Sequence, residues 1–180
     1  MDQSTHRIST TASELQEIAL QRYAMRLGSD YFIQMAASLG DLFDGNLLTG
    51  LVFLTIVQGS VQHLNRPAQF NAMAVDGVFP DDLRRPVSVL GVSQFLGLPY
   101  ETARRHTGRL EKMGFCKKVG GKGVVIPAEI LRGPEVQALV RANYGHMRVL
   151  LQGLRRGGEA MLPPQDPRWA AQDDEKRGPV

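Results

Sequence analysis

The sequence predicts a mainly α-helical protein with one small β-hairpin, and three observations carry that expectation. Between residues 86 and 127 two short helix patterns, a tight glycine-containing turn and a basic hairpin follow one another without interruption. A helix pattern apolar on nearly every side precedes this stretch, and a helix with a continuous apolar stripe follows it. At 180 residues the chain is long enough for one good core with helical extensions, and a single compact unit is expected.

From the N-terminus, residues 1–12 are polar and rich in Ser and Thr and read as disordered. Leu15, Ile18, Ala19, Met25 and Leu27 predict a first helix over 13–27 that stops at Gly28. Ser29 or Asp30 then caps a second helix to about residue 39, with Tyr31, Phe32, Met35 and Leu39 as its apolar set. These helices, within 13–42, carry no chemistry and are assigned to packing or dimerisation.

Asp44 is expected to open the most apolar helix, over 45–64, through Leu47, Leu48, Leu51, Val52, Phe53, Leu54, Ile56 and Val57. A helix apolar all round must be buried against several neighbours. Gly50 and Gly59 each cost about 1 kcal/mol inside it and so mark candidate close crossings. The run 47–57 is too short to span a bilayer. Residues 65–85 form a long connection whose prolines argue against one helix, with a short turn of helix at 68–75. Asp81, Asp82, Arg84 and Arg85 read as a surface ion cluster of little energetic weight.

Ser88 can cap the next helix, in which Val89, Val92 and Leu96 recur on one side, and Gly97 and Leu98 make the turn. Pro99 starts the following helix and Gly114 stops it. At 100° per residue, Ala103, His106, Thr107, Leu110 and Met113 share its packing side. Glu101, Arg104, Arg105, Gly108, Arg109 and Lys112 share the other side, and Gly108 would let the backbone approach a duplex. Residues 115–119 and 124–126 read as strands joined by Gly120, Gly121, Lys122 and Gly123, with Lys117, Lys118 and Lys122 on the hairpin. Pro134 begins a final helix to about residue 156, striped by Val136, Leu139, Val140, Tyr144, Met147, Leu150, Leu151 and Leu154. Residues 157–180, with paired glycines, paired prolines and an acidic run, read as a disordered tail in which Trp169 is at most a minor anchor.

Charge sharpens this pattern. Residues 84–156 hold fourteen Lys or Arg against four Glu, whereas residues 1–83 hold four Arg against nine Asp or Glu. Positive charge thus gathers around the two short helices and the hairpin, as the footprint of a nucleic-acid binder does. A solvated charged helix face is the commoner meaning of such a wheel. The ordered context of turn, helix and basic hairpin favours the functional reading.

At VSQFLGLPYETARRHTGRLEKMGF the chain resembles the winged-helix bacterial transcription regulators, in the broad group of MarR, GntR and catabolite-activator types. Gly97, Leu98, Thr102, Arg105, Leu110, Glu111 and Gly114 stand at the turn, recognition helix and exit of such domains. Ser93 and Pro99 depart from the usual Ala and Ser or Thr, and neither breaks the geometry. The resemblance implies a winged helix-turn-helix over 43–132 and flanking helices, including 134–156, that build a two-fold dimer.

No catalytic or cofactor chemistry is expected. Gly121 and Lys122 resemble a piece of a phosphate loop, but Gly123 replaces the required Ser or Thr. His6, His63, His106 and His146 lie on separate elements without a second ligand at helical spacing, and no nucleophile and base can be paired. Cys116 excludes an intrachain disulfide and reads as a small buried hydrophobe rather than a redox switch.

The expected function is a homodimeric, sequence-specific regulator that binds double-stranded DNA. Tyr100, Glu101, Arg104 and Arg105 would read base edges, while Arg109, Lys112, Lys117, Lys118 and Lys122 would hold phosphates. A bacterial cytoplasmic protein, at the nucleoid when bound and without membrane attachment, is expected, with room for a small-molecule effector. A winged helix that docks an acidic protein is the alternative. A shape-reading RNA binder comes third, and single-stranded RNA is disfavoured further because Tyr100 is the lone stacking aromatic on the basic face.

Overall fold

The computed structural model describes residues 11–64 and 76–158, so the polar N-terminus, the short helix expected at 68–75 and the tail with Trp169 lie outside the described residues. In chain order the elements are α1 (Ala12–Leu42), α2 (Leu47–Val61), α3 (Val89–Leu96), α4 (Tyr100–Lys112), β1 (Lys117–Val119), β2 (Gly123–Val125), α5 (Ala128–Arg132) and α6 (Pro134–Arg156). The protein is mainly helical with one two-stranded antiparallel sheet. Single 3-10 turns at Gln62–Leu64 and Asp81–Leu83 complete the described elements.

The chain divides into two compact units rather than the one suggested by its length. One pairs Met1–Ile33 with His146–Val180, and the other is Gln34–Gly145. The expected break at Gly28 is absent, because α1 runs through it as one 31-residue helix. A lone glycine costs about 1 kcal/mol in a helix, and without a left-handed conformation it supplies no stop.

The core of the larger unit is centred on α2. Val52, Phe53 and Ile56 meet Leu39 and Phe43, Val92 of α3, Ala103 and Leu110 of α4, Val124 and Ile126, and Val136 and Leu139 of α6. Phe43, Phe53 and Phe115 form a ring cluster with centroids 5.0–5.8 Å apart. Phe43 and Phe53 are fully buried, Phe115 is partly buried and borders a shallow groove against α5 and the start of α6, and Phe32 is exposed. Gly50 marks a close crossing as expected: a Cβ there would lie 2.5 Å from Leu39 Cγ. The apolar run is longer than the sequence reading gave it, since Leu47–Leu64 has a mean hydropathy of 1.4 and is long enough by composition to cross a bilayer. In this fold its central side chains are buried in protein.

Asn46, not Asp44, caps α2, its Oδ1 accepting from the Thr49 N–H at 3.0 Å. Asp44 instead takes a left-handed conformation ahead of Gly45. Residues 62–64 tighten into a 3-10 turn, so α2 is shorter than expected. The run 81–85 is not the surface cluster expected. Arg84 is buried, its side chain 3% exposed, donating from Nε to the Phe79 carbonyl at 3.2 Å and from Nη1 to Ser60 Oγ at 3.4 Å. Asp81 Oδ1 lies 3.7 Å from Arg84 Nε and accepts from the Ala128 N–H at 2.8 Å, which ties this turn to the start of α5. Burial pulls the guanidinium pKa down, Asp81 opposes that shift, and Arg132 adds to it. Between the hairpin and α6, Ala128–Arg132 form the short helix α5 behind Pro127.

Candidate nucleic-acid interface

Ser88 starts α3 as expected, its Oγ accepting from the Gly91 N–H at 3.0 Å. Gly97 ends α3 at φ +64, a conformation that costs glycine little, and the Leu98 N–H returns to the Ser93 carbonyl at 2.9 Å. Ser93 also donates its hydroxyl to the Leu98 carbonyl at 2.7 Å, so the departure from Ala holds the turn closed. Pro99 occupies the cap position of α4 rather than its first turn. Gly114 ends the helix beyond Met113, its N–H donating to the Glu111 carbonyl at 3.0 Å.

The two faces of α4 separate as the wheel predicts. Ala103, His106, Thr107 and Leu110 are buried, while Tyr100, Glu101, Arg104, Arg105 and Lys112 are exposed and Gly108 and Arg109 half-buried. His106 Nδ1 lies 2.8 Å from Thr49 Oγ1, whose hydroxyl donates to Asn46 Oδ1 at 3.0 Å. This contact links the α2 cap to the middle of α4. Burial, then Arg105 and Arg109, push the His106 pKa below its ordinary 6.5.

Because the folded His106 resists protonation, its contribution is fully present above pH 6.5 and is lost as pH falls through the folded value. Exposed His63 is shifted the same way, first by burial and then by Arg85. The urea midpoint is therefore expected to be lower at pH 5.5 than at pH 7.5, and His106→Asn should narrow that difference. An unchanged difference would remove His106 as its source.

The first strand of the hairpin is shorter than expected, and the second keeps its expected length but starts one residue earlier. Lys117, Lys118 and Val119 pair with Val125, Val124 and Gly123, leaving Phe115 and Cys116 before β1. Val87, ahead of α3, adds a bridge to Val124 through two backbone hydrogen bonds of 2.9 Å. Gly123 sits at φ +139, and a Cβ there would run into the Val87 carbonyl group. This one-residue bridge, which anchors the hairpin beside α3, was not visible in the sequence because a single pairing has no local pattern.

Lys117, Lys118 and Lys122 are exposed on the hairpin. Together with Arg104, Arg105, Arg109 and Lys112 they belong to one compact unit. Four of these seven cations have a carboxylate of the chain itself beside them. Arg104 meets Glu101 at 2.6 Å, Lys118 meets Glu111 at 2.9 Å, Arg109 meets Asp44 at 3.4 Å and Lys117 meets Asp81 at 4.0 Å. Among the described residues Arg105, Lys112 and Lys122 have no carboxylate within 4 Å. Sequence spacing could have flagged the Glu101 and Arg104 pair at i, i+3. The roles of Asp44, Asp81 and Glu111 arise from tertiary placement alone.

Cys116 is buried, and its thiol donates to the Thr107 carbonyl with sulfur 3.7 Å from oxygen. Burial, helped by Glu111 and opposed by Lys118, pushes its pKa up to about 11. Thiolate is then on the order of one part in ten thousand at neutral pH, which suits a packed thiol and not a redox centre. Among the described residues no group of three His, Cys, Asp or Glu could hold a metal ion. A groove of about 600 Å³ lies between α2 and α3, walled by Leu51, Leu54, Val87 and Phe95, the last 78% exposed. Comparison with family models, characterised proteins and solved structures returned no match to this chain.

Proposed function

We propose that the unit Gln34–Gly145 is a winged helix-turn-helix and that the protein is a sequence-specific DNA-binding regulator. The observation that carries this reading is the outward basic face of α4, with a lysine-bearing hairpin anchored by Val87 in the same unit. A helix of 13 residues is about 20 Å long at 1.5 Å per residue, a size that the B-DNA major groove admits. Tyr100, Arg104 and Arg105 on its first turns suit base edges. Arg109, Lys112, Lys117, Lys118 and Lys122 suit phosphates, which position the protein without reading sequence.

The smaller unit supports a homodimer. Among its described residues no apolar side chain is buried, and Leu15, Met25, Phe32, Ile33, Val149 and Leu151 are exposed. The helices cross closely at Leu27 and Gly153, where a Cβ would lie 2.8 Å from Leu27 Cδ2. Two helices with no buried core need a partner surface, and a second copy supplies the same apolar stripe.

Titration against random duplex at low and moderate salt tests the reading. Five phosphate contacts per protomer give a log–log slope of about −4 to −5, doubled in a dimer. The exposed Phe95 beside its apolar groove favours a second reading, a protein-docking module. That module would bind duplex weakly at every salt concentration.

A further inference from the structure

The pair between Glu101 and Arg104 differs in kind from the other three ion pairs of the basic face. Arg104 Nε donates to Glu101 Oε2 at 2.7 Å and Nη2 donates to Oε1 at 2.6 Å, so the contact is a two-pronged fork. A guanidinium has five N–H donors in one plane. This fork uses the Nε–H and one Nη2–H. The remaining Nη2–H and one Nη1–H lie along a second edge, with the parallel spacing that a guanine O6 and N7 accept.

Both side chains are exposed, at 60% for Arg104 and 69% for Glu101. Ion pairs so exposed contribute little to stability, so the fork has little structural reason to exist. What it does is geometric: it fixes the plane of a long flexible side chain on the first turns of α4 and leaves one edge outward. The Glu101 carboxylate also adds a negative charge beside Arg104, which disfavours collapse of that arginine onto a nearby phosphate. The hydrogen bonds from Arg104, with the charges of Arg104 and Arg105, hold the Glu101 pKa below the ordinary carboxylate value, so the fork stays formed at neutral pH.

We propose that Glu101 does not read a base itself but is a positioning residue that aims the free edge of Arg104 at a guanine, so that it sets sequence discrimination at the expense of overall affinity. This rests on the DNA-binding reading of α4. It distinguishes Arg104 from Arg105, for which no carboxylate partner lies within 4 Å among the described residues.

The test measures binding of the full chain to its selected duplex and to random duplex at one salt concentration, for the wild type, Glu101→Gln, Arg104→Lys and the double variant. Glu101→Gln frees Arg104 for phosphates, so random-duplex affinity should rise about threefold, the order expected from removing one nearby negative charge. The selected-to-random ratio should fall about tenfold, within the range of one bidentate base contact. Arg104→Lys, which lacks the planar fork, should lower the ratio by a similar factor, and the double variant should lower it no further. Urea midpoints should match the wild type, since the pair is exposed.

A ratio unchanged in Glu101→Gln, with the wild type discriminating, would overturn the positioning role alone. Additive losses in the double variant would also overturn it, because Glu101 would then contact its own base. A wild type without preference for any duplex would overturn the DNA-binding reading itself and this inference with it.

Discussion

A protein carrying Arg104→Ala together with Arg105→Ala is expected to bind selected and random duplex with equal affinity while keeping its fold. Both side chains lie on the exposed side of α4, away from the packed set of Ala103, His106, Thr107 and Leu110, so truncation opens no cavity. Each bidentate base contact is worth about 1–3 kcal/mol of discrimination, so losing two in each protomer removes about 4–12 kcal/mol from a dimer, enough to erase the roughly 4–10 kcal/mol preference of a typical regulator. The phosphate contacts of Arg109, Lys112 and the hairpin lysines remain, so the salt slope should persist. Electrophoretic titration of both duplexes checks this. A double variant that still discriminates would place base recognition elsewhere than the start of α4.

The second large effect concerns the core. Phe53→Ala should destabilise the protein by about 3–5 kcal/mol, the cost of emptying a packed aromatic site. Phe53 is 1% exposed and lies 5.3 Å from the Phe43 ring and 5.8 Å, edge on, from Phe115. Phe115 follows the stop of α4, so the cavity would open where α2 supports the exit of that helix. Thermal unfolding should shift down by roughly 6 to 20 °C. A loss below about 1 kcal/mol would mean that the cluster is not closely packed.

What the sequence made legible was local. Ser88, Gly97 and Gly114 mark their helix ends through caps and conformations that neighbouring residues decide, and the two faces of α4 follow from its 3.6-residue period. Pro134 began the last helix as expected for the same reason. Tertiary placement decided the rest. Gly28 looks like a stop, yet α1 continues through it. Arg84 and Arg85 are adjacent and identical in type, but only Arg84 is buried, because Ser60 and the Phe79 carbonyl lie where it can reach them. Val87 pairs with Val124 across 36 intervening residues, a contact that no local pattern announces. The cations of the candidate interface were legible by type and face, whereas the carboxylates of Asp44, Asp81 and Glu111 beside them were not.

The central claim, that α4 presents its basic face to the major groove, is tested most directly by selecting duplexes from a random-sequence pool with the full chain. The account predicts enrichment of a pseudo-palindrome whose half-sites lie about 34–36 Å apart or a multiple of that, with guanine at the position Arg104 contacts. A pool that emerges without any common sequence, together with retention that does not weaken as salt rises, would contradict it.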